Sequence, residues 1–302
     1  MASGIVEKIL KLKQDKGAVI LAHNYVNADV QDIADFTGDS LELSIKARDS
    51  RAQTIVFCGV SFMAETAKLL SPDSTVLHPV REAGCAMADM AKAEDIAAYR
   101  KANPDTVLVA YVNTTAAAKA KVDICCTSAN AEKIVRSIPA DKKIMFLPDR
   151  NLGANVRNAT GRDIELWPGF CPTHNKITRE MLISARKAHP EAVLMVHPEC
   201  NPEIVALADL ALSTGGMLKA VKASEKKEFI IGTEYGILHR LTNENPDKTF
   251  YPIEPLPACV DMKAIKLEDI LNSLENGYGE VTLDPRIIRD ARLPIDRMLE
   301  IS

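Results

Sequence analysis

Three of the seven cysteines recur at nearly equal spacing. Cys85, Cys171 and Cys259 lie 86 and 88 residues apart (171 − 85 and 259 − 171). Each stands in a Gly- or Pro-flanked stretch, "REAGCA", "WPGFCP" and "PLPACV". Three thiols brought together could form a zinc site or hold an iron–sulfur cluster with one iron left without a protein ligand. Three unrelated buried loop cysteines are the plainer alternative. Cys58, Cys125 and Cys126 fall within or at the ends of apolar, strand-like runs. Cys200 has Val26 and Thr114 as its counterparts at the same offsets, so it reads as a small buried residue or one that backs the site residues.

A second set of polar residues follows the same arithmetic. "AVILAHNY", "TVLVAYVN" and "AVLMVHPE" are strand-like runs ending in His23, Tyr111 and His197, at intervals of 88 and 86 (111 − 23 and 197 − 111). Two residues on stand Tyr25, Asn113 and Glu199: a phenol, an amide and a carboxylate suited to different tasks, or simply polar loop residues. Seventeen residues on stand Ser40, Ser128 and Thr214, each at the start of a helical pattern. Hydroxyls there are favoured N-caps. Helix starts also bind anions, so three of them could hold carboxylates or a phosphate. His174, three residues after Cys171, is a candidate for the same pocket. Glu65, Asp149, Arg150 and Glu234 follow the third strand-like runs and are read as salt-bridge or cap residues. His78, His189 and His239 are read as structural or exposed.

The elements that must position these residues are βα units, because β-branched apolar runs alternate with helical patterns along nearly the whole chain. The two offsets also align "TIVFCG", "KKIMFLPD" and "EFIIGTE", and again "STVLHPV", "RDIELWP" and "KTFYPIE". Three copies of one unit follow, with expected bounds 1–85, 86–171 and 172–259. Each is a three-layer αβα domain with a four-stranded parallel sheet. Residues 260–302 form a helical extension expected to pack back on the body. In parallel α/β units ligands bind beyond the carboxyl ends of the strands. Three units around a pseudo-threefold axis would bring those ends to one shared, asymmetric site.

Bulk properties narrow the function. The chain has 302 residues, 47% hydrophobic and 26% charged, a balance typical of soluble globular proteins. The net charge of −4 and the absence of Lys/Arg clusters disfavour nucleic-acid binding. The start, "MASGIVEKILKLKQDKG", lacks the apolar core of a signal peptide, and no apolar run reaches the roughly 18 residues of a membrane span. A cytoplasmic location is expected, where cysteines are thiols or metal ligands rather than disulfides.

Taken together, "LAHNYV", "GDSLELS", "FCGVSFMAETAK", "AYVNTTAAAKA", "CCTSANA", "LPDRNLG", "WPGFCPTH", "HPEC", "STGGM", "GTEYGI" and "CVDMK" resemble the type A quinolinate synthases, over nearly all of the chain and in the family's order. The resemblance implies a central, oxygen-sensitive [4Fe-4S] cluster bound by Cys85, Cys171 and Cys259. It implies condensation of iminoaspartate (iminosuccinate) with dihydroxyacetone phosphate to quinolinate, phosphate and water, for NAD biosynthesis. An L-aspartate oxidase or dehydrogenase would supply the imine. By the same resemblance His23, Ser40, Tyr111, Asn113, Ser128, His197, Glu199 and Thr214 match substrate-contact positions, and Tyr25 matches a catalytic tyrosine. Some members carry C-x-x-C at the last cluster cysteine. Here Cys259 is followed by Val-Asp-Met, so no such redox switch is expected.

On this reading the open iron acts as a Lewis acid, Glu199 serves as general base and acid, and Tyr25, His23 and His197 position or relay protons. The alternatives are an iron–sulfur hydro-lyase acting on one hydroxy acid, a three-thiolate zinc enzyme, and a non-enzymatic repeat scaffold without metal.

Overall fold

The structure is a computed structural model describing residues 2–302, with side chains from Gly4 onward. The chain opens with α1 (Ala2–Asp15), β1 (Ala18–His23), α2 (Ala28–Ile33), β2 (Phe36–Gly38), α3 (Ser40–Asp49), β3 (Thr54–Cys58), α4 (Ser61–Leu70) and β4 (Thr75–Leu77). The pattern returns as α5 (Ala93–Ala102), β5 (Val107–Tyr111), α6 (Ala116–Lys119), β6 (Ile124–Cys126), α7 (Ala131–Ser137), β7 (Ile144–Leu147), α8 (Arg150–Thr160) and β8 (Glu165–Leu166). It returns again as α9 (Pro172–Asn175), α10 (Arg179–Ala188), β9 (Val193–Val196), α11 (Pro202–Val205), β10 (Leu210–Ala211), α12 (Thr214–Ala223), β11 (Glu228–Gly232), α13 (Ile237–Glu244) and β12 (Thr249–Pro252). The chain closes with α14 (Val260–Ala264), α15 (Leu267–Asn276) and α16 (Pro285–Ile301).

Three parallel four-stranded sheets result, in the orders β2-β1-β3-β4, β6-β5-β7-β8 and β10-β9-β11-β12. Their identical order gives the α/β architecture its pseudo-threefold character. The first strand of each unit is interior to its sheet and covered on both faces. Its sequence is therefore a continuous apolar run rather than an alternating one. Ile20, Leu21 and Ala22, like Leu108, Val109 and Ala110, are fully buried. One apolar core runs through the first two sheets, one face of the third and the closing helices. A smaller one, around Leu182, Leu194 and Ile204, lies against the third sheet.

A further repeat at the same two offsets, Asp35, Asp123 and Asp209, shows its role only in three dimensions. The neighbouring edge strand reaches β1 only at Leu21–His23, β5 at Val109–Tyr111 and β9 at Met195–Val196. This leaves the peptide groups of Ile20, Leu108 and Leu194 without a partner on that side. Asp35, Asp123 and Asp209 fill the gap. Each accepts that residue's N–H on its carboxylate at 2.8 Å and donates its own N–H to that residue's carbonyl. An unmatched buried N–H would cost about 1–3 kcal/mol. Lys13, Arg100 and Arg186 pair with the three carboxylates.

The closing helices lie against the first two sheets. α15 lies against α1 and β3, and α16 runs over α4, α6, α7 and β6. Arg292 donates to the carbonyls of Leu69 and Leu70, and Asn130 donates to Ser302 at 2.6 Å. No helix among the described residues is long and apolar enough to cross a membrane.

Candidate active site

The carboxyl ends of β1, β5 and β9 open onto one cavity of about 390 Å³, within the usual range for small-molecule sites. All thirteen residues singled out from the sequence as site candidates line it: the three repeat-related cysteines, His174, and the nine residues at and beyond the strand ends. The other four cysteines do not line it and are buried in the cores.

His23 and His197 are held alike. The Nδ1 of His23 accepts from the Tyr25 N–H at 3.2 Å, and that of His197 from the Glu199 N–H at 3.2 Å. Nδ1 is thus an acceptor, so the ring hydrogen sits on Nε2. Burial lowers both rings to about 3, against the pull of Glu199. Both are neutral Nε2–H donors at physiological pH. In the second unit Tyr111 takes this place, and its hydroxyl donates to Glu199 Oε1 at 2.5 Å.

Glu199 is the hub. Its other oxygen accepts from His174 Nδ1 at 2.6 Å. Burial by itself would raise this carboxyl. The His197 and His174 rings and the hydrogen bonds from His174 and Tyr111 outweigh burial and hold it well below the usual carboxylate range. His174 Nε2 hydrogen-bonds the Thr233 hydroxyl at 2.7 Å, and that hydroxyl bonds the Tyr25 hydroxyl at 2.5 Å. A hydrogen-bonded chain therefore links Tyr25 through Thr233 and His174 to Glu199. Asn151 and Asn155 of α8 fix the Pro198–Cys200 turn by donating to its carbonyls.

The three cavity thiols share a local design. Backbone N–H groups face each sulfur: Met87 and Ala88 at Cys85, His174 at Cys171, Asp261 and Met262 at Cys259. Such donors favour a thiolate and the sulfurs of an anionic cluster. Burial pushes the Cys85 thiol up to about 12 and raises Cys171 and Cys259 as well, so loading a metal must displace protons. The donor set therefore fits a thiolate-held metal group. A mixed set, Cys171 Sγ, His174 Nδ1 and a Glu199 oxygen, also lies within 4.8 Å of itself. There, however, the 2.6 Å His174–Glu199 contact is already a hydrogen bond.

The hydroxyls at the helix starts are not caps, which corrects that part of the sequence reading. Asp39 caps α3 and Ser213 caps α12, placing Ser40 and Thr214 one residue inside; Ser128 lies in the turn before Asn130. The side chain that accepts the free amides is the preceding residue, so the Ser40 and Thr214 hydroxyls are released from capping. α12 comes so close to α3 that a Cβ on Gly215 would lie 2.6 Å from Asp39 Oδ2. Any side chain there would displace the Asp39 carboxylate that caps α3.

Glu65 accepts the Ala116 N–H where α6 begins, Asp149 caps α8, and Glu234 pairs with Lys263. Arg150 covers the Phe170 ring. His78 bonds the Gly59 carbonyl, His189 stacks on Tyr251, and His239 pairs with Asp32. Thr233 was missed because its counterparts at the repeat offsets are Gly59 and Leu147, neither with a hydroxyl. Lys119 was missed too. It is fully buried behind the Asn113 turn and donates to the carbonyls of Val112 and Thr114.

Three like-built sheets sharing one thiol-bearing cavity define an α/β enzyme whose site is assembled from repeated parts. The profile of the family described as "Quinolinate synthetase A protein" matches residues 7–300. A quinolinate synthase of Thermodesulfovibrio yellowstonii is 49% identical over 100% of this chain and 99% of its own length. Quinolinate synthase 2 of Methanosarcina acetivorans is 47% identical over 99% and 96%. The quinolinate synthase of Caldicellulosiruptor saccharolyticus is 48% identical over 99% and 98%. The chain belongs to the quinolinate synthetase A family and is an enzyme. Among solved structures, an E-1-hydroxy-2-methyl-but-2-enyl-4-diphosphate reductase from Plasmodium falciparum aligns over 91% of this chain and 94% of its own, at 13% identity and a TM-score of 0.30.

Proposed function

We propose that the enzyme condenses iminoaspartate with dihydroxyacetone phosphate to give quinolinate, phosphate and water, on a [4Fe-4S] cluster held by Cys85, Cys171 and Cys259. The observation that carries this reading is selective. Of seven cysteines, the three related by the repeat line the cavity that also holds the Glu199 chain. A cluster with three protein thiolates supplies a Lewis-acidic iron, which favours loss of hydroxide.

The chain's own residues do the rest. The Ser40 and Thr214 hydroxyls, each at the start of a ten-residue helix, hold anionic groups of the substrates. The neutral His23 and His197 rings donate from Nε2 to substrate oxygens. Asn113 offers Oδ1, a buried acceptor with no protein partner, to a substrate donor. Glu199 is ionised and takes a proton at Oε2 or Oε1. Tyr25, Thr233 and His174 can return one along the hydrogen-bond chain. Repeat bounds of 1–85, 86–171 and 172–259, with 260–302 as the extension, accord with the three sheets. The test is anaerobic reconstitution, iron and sulfide counting, and a quinolinate assay with both substrates. Turnover of a single hydroxy acid without the phosphorylated ketone would replace this reading with a hydro-lyase. Iron-free activity would remove the cluster.

A further inference from the structure

The Thr214 hydroxyl is buried, lines the cavity and has one partner: it accepts from Asn24 Nδ2 at 2.8 Å. Among the hydrogen bonds of the described residues, no protein acceptor takes its own hydrogen. Why Asn24 presents nitrogen rather than oxygen is answered one residue further out. Arg240 Nη1 donates to Asn24 Oδ1 at 3.1 Å and to the Thr37 carbonyl at 2.6 Å. A guanidinium has only donors. The amide oxygen must face Arg240, and the NH₂ must face Thr214. Asn24 is fully buried at the end of β1, and its own backbone N–H is taken by the Gly38 carbonyl, so it cannot swing away.

We propose that Asn24 and Arg240 are positioning residues that set the polarity of Thr214, making its hydroxyl an obligate donor to an anionic ligand, a carboxylate or a phosphate. An oxygen that already accepts from a buried amide has its hydrogen left to give. A ligand oxygen carrying negative charge is what such a hydrogen suits. Only the first unit supplies such an amide. The residues at the Asn24 position in the other two are Val112 and Pro198, neither of which can donate from a side chain. Arg240 comes from α13 of the third unit, so the polarity of the site depends on contact between the first and third units.

This deepens the proposed condensation by naming what orients one anion contact. The decisive variant is Asn24→Asp, nearly isosteric and able to keep Arg240 as a partner. A carboxylate only accepts, so Thr214 would turn its hydrogen toward residue 24 and away from the ligand. Reconstituted holoenzyme is titrated calorimetrically with inorganic phosphate and, separately, with L-malate as a dicarboxylate. The two arms separate the phosphate from the carboxylate source. Wild type is expected to bind at least one, and Asn24→Asp to bind that anion about tenfold to hundredfold more weakly, the scale of one hydrogen bond to an ionised group. Thr214→Val should lose a similar factor. Adding Asn24→Asp to Thr214→Val should lose no more, because both act on one hydrogen. Arg240→Met, which frees the amide to flip, gives a smaller loss in the same direction and serves if Asn24→Asp does not fold.

Failure of the wild type to bind either anion overturns the proposal. So does wild-type affinity in Asn24→Asp, and so does a further loss on adding it to Thr214→Val, which would mark simple charge repulsion. The titrations need no turnover. An inactive wild type that binds anions would remove the condensation reading and leave this one standing.

Discussion

Glu199→Gln isolates the charge at the hub of the site. The carboxylate accepts the Tyr111 hydroxyl at 2.5 Å and the His174 Nδ1–H at 2.6 Å, and it is 4% exposed. Glutamine keeps one acceptor oxygen and turns an NH₂ toward the other partner. If the oxygen stays with His174, the NH₂ faces Tyr111, whose hydroxyl must become the acceptor and send its hydrogen elsewhere. One hydrogen bond to an ionised group is lost, about 1.5–3 kcal/mol. Against this, a neutral amide is cheaper to bury than a carboxylate, by several kcal/mol in the unpaired limit. The two nearly cancel, so the melting temperature should move by less than about 5 °C. Turnover should not be spared. Removing a general base costs about 10²–10⁴ in rate, roughly 3–5 kcal/mol on the barrier. The assay is quinolinate formed per reconstituted protein, with iron and sulfide counted on the same sample. Turnover within threefold of wild type would refute the role of Glu199 as base. Loss of iron together with a collapsed melting temperature would show that the carboxylate holds the site together instead.

Cys85→Ser, Cys171→Ser and Cys259→Ser should each lose the cluster and the activity, whereas Cys58→Ser, Cys125→Ser, Cys126→Ser and Cys200→Ser should keep iron; anaerobic iron and sulfide counts on all seven variants decide. Thr233→Val cuts the link between Tyr25 and His174 and should lower kcat at least tenfold, with about 1–3 kcal/mol lost in a denaturant melt; unchanged kcat would leave the chain a structural feature. Lys119 gives a pH signature. Burial lowers it from 10.5 to about 8, so between those values the unfolded chain binds a proton that the native protein does not, and stability contributed by this group rises with pH. Relative to Lys119→Met, wild type should gain up to roughly 3 kcal/mol across that window; parallel stability curves for the two proteins would contradict a lysine neutral at high pH.

Much of this was written in the sequence because it is periodic. A covered parallel strand must be apolar along its length, so the runs ending at His23, Tyr111 and His197 announced three interior strands. Two offsets then related the loops beyond them. The same periodicity placed Cys85, Cys171 and Cys259 at equivalent turns and set the other four cysteines apart. Residues that work alone carried no such mark. Thr233, Asn24, Arg240 and Lys119 have no repeat counterparts of their own kind, and their side chains look ordinary in a string of letters. The hydroxyls of Ser40 and Thr214 show the same limit from the other side. Their types suit a cap, but the residue that caps is the one whose side chain reaches the helix's free amides, and that is Asp39 or Ser213. Sequence by itself determined which strand ends and thiols belong together, since periodic burial is a local, repeated demand. Only the tertiary structure decided which atom faces which, because hydrogen-bond direction depends on distances between units brought together across 190 residues, as between Asn24 and Thr214.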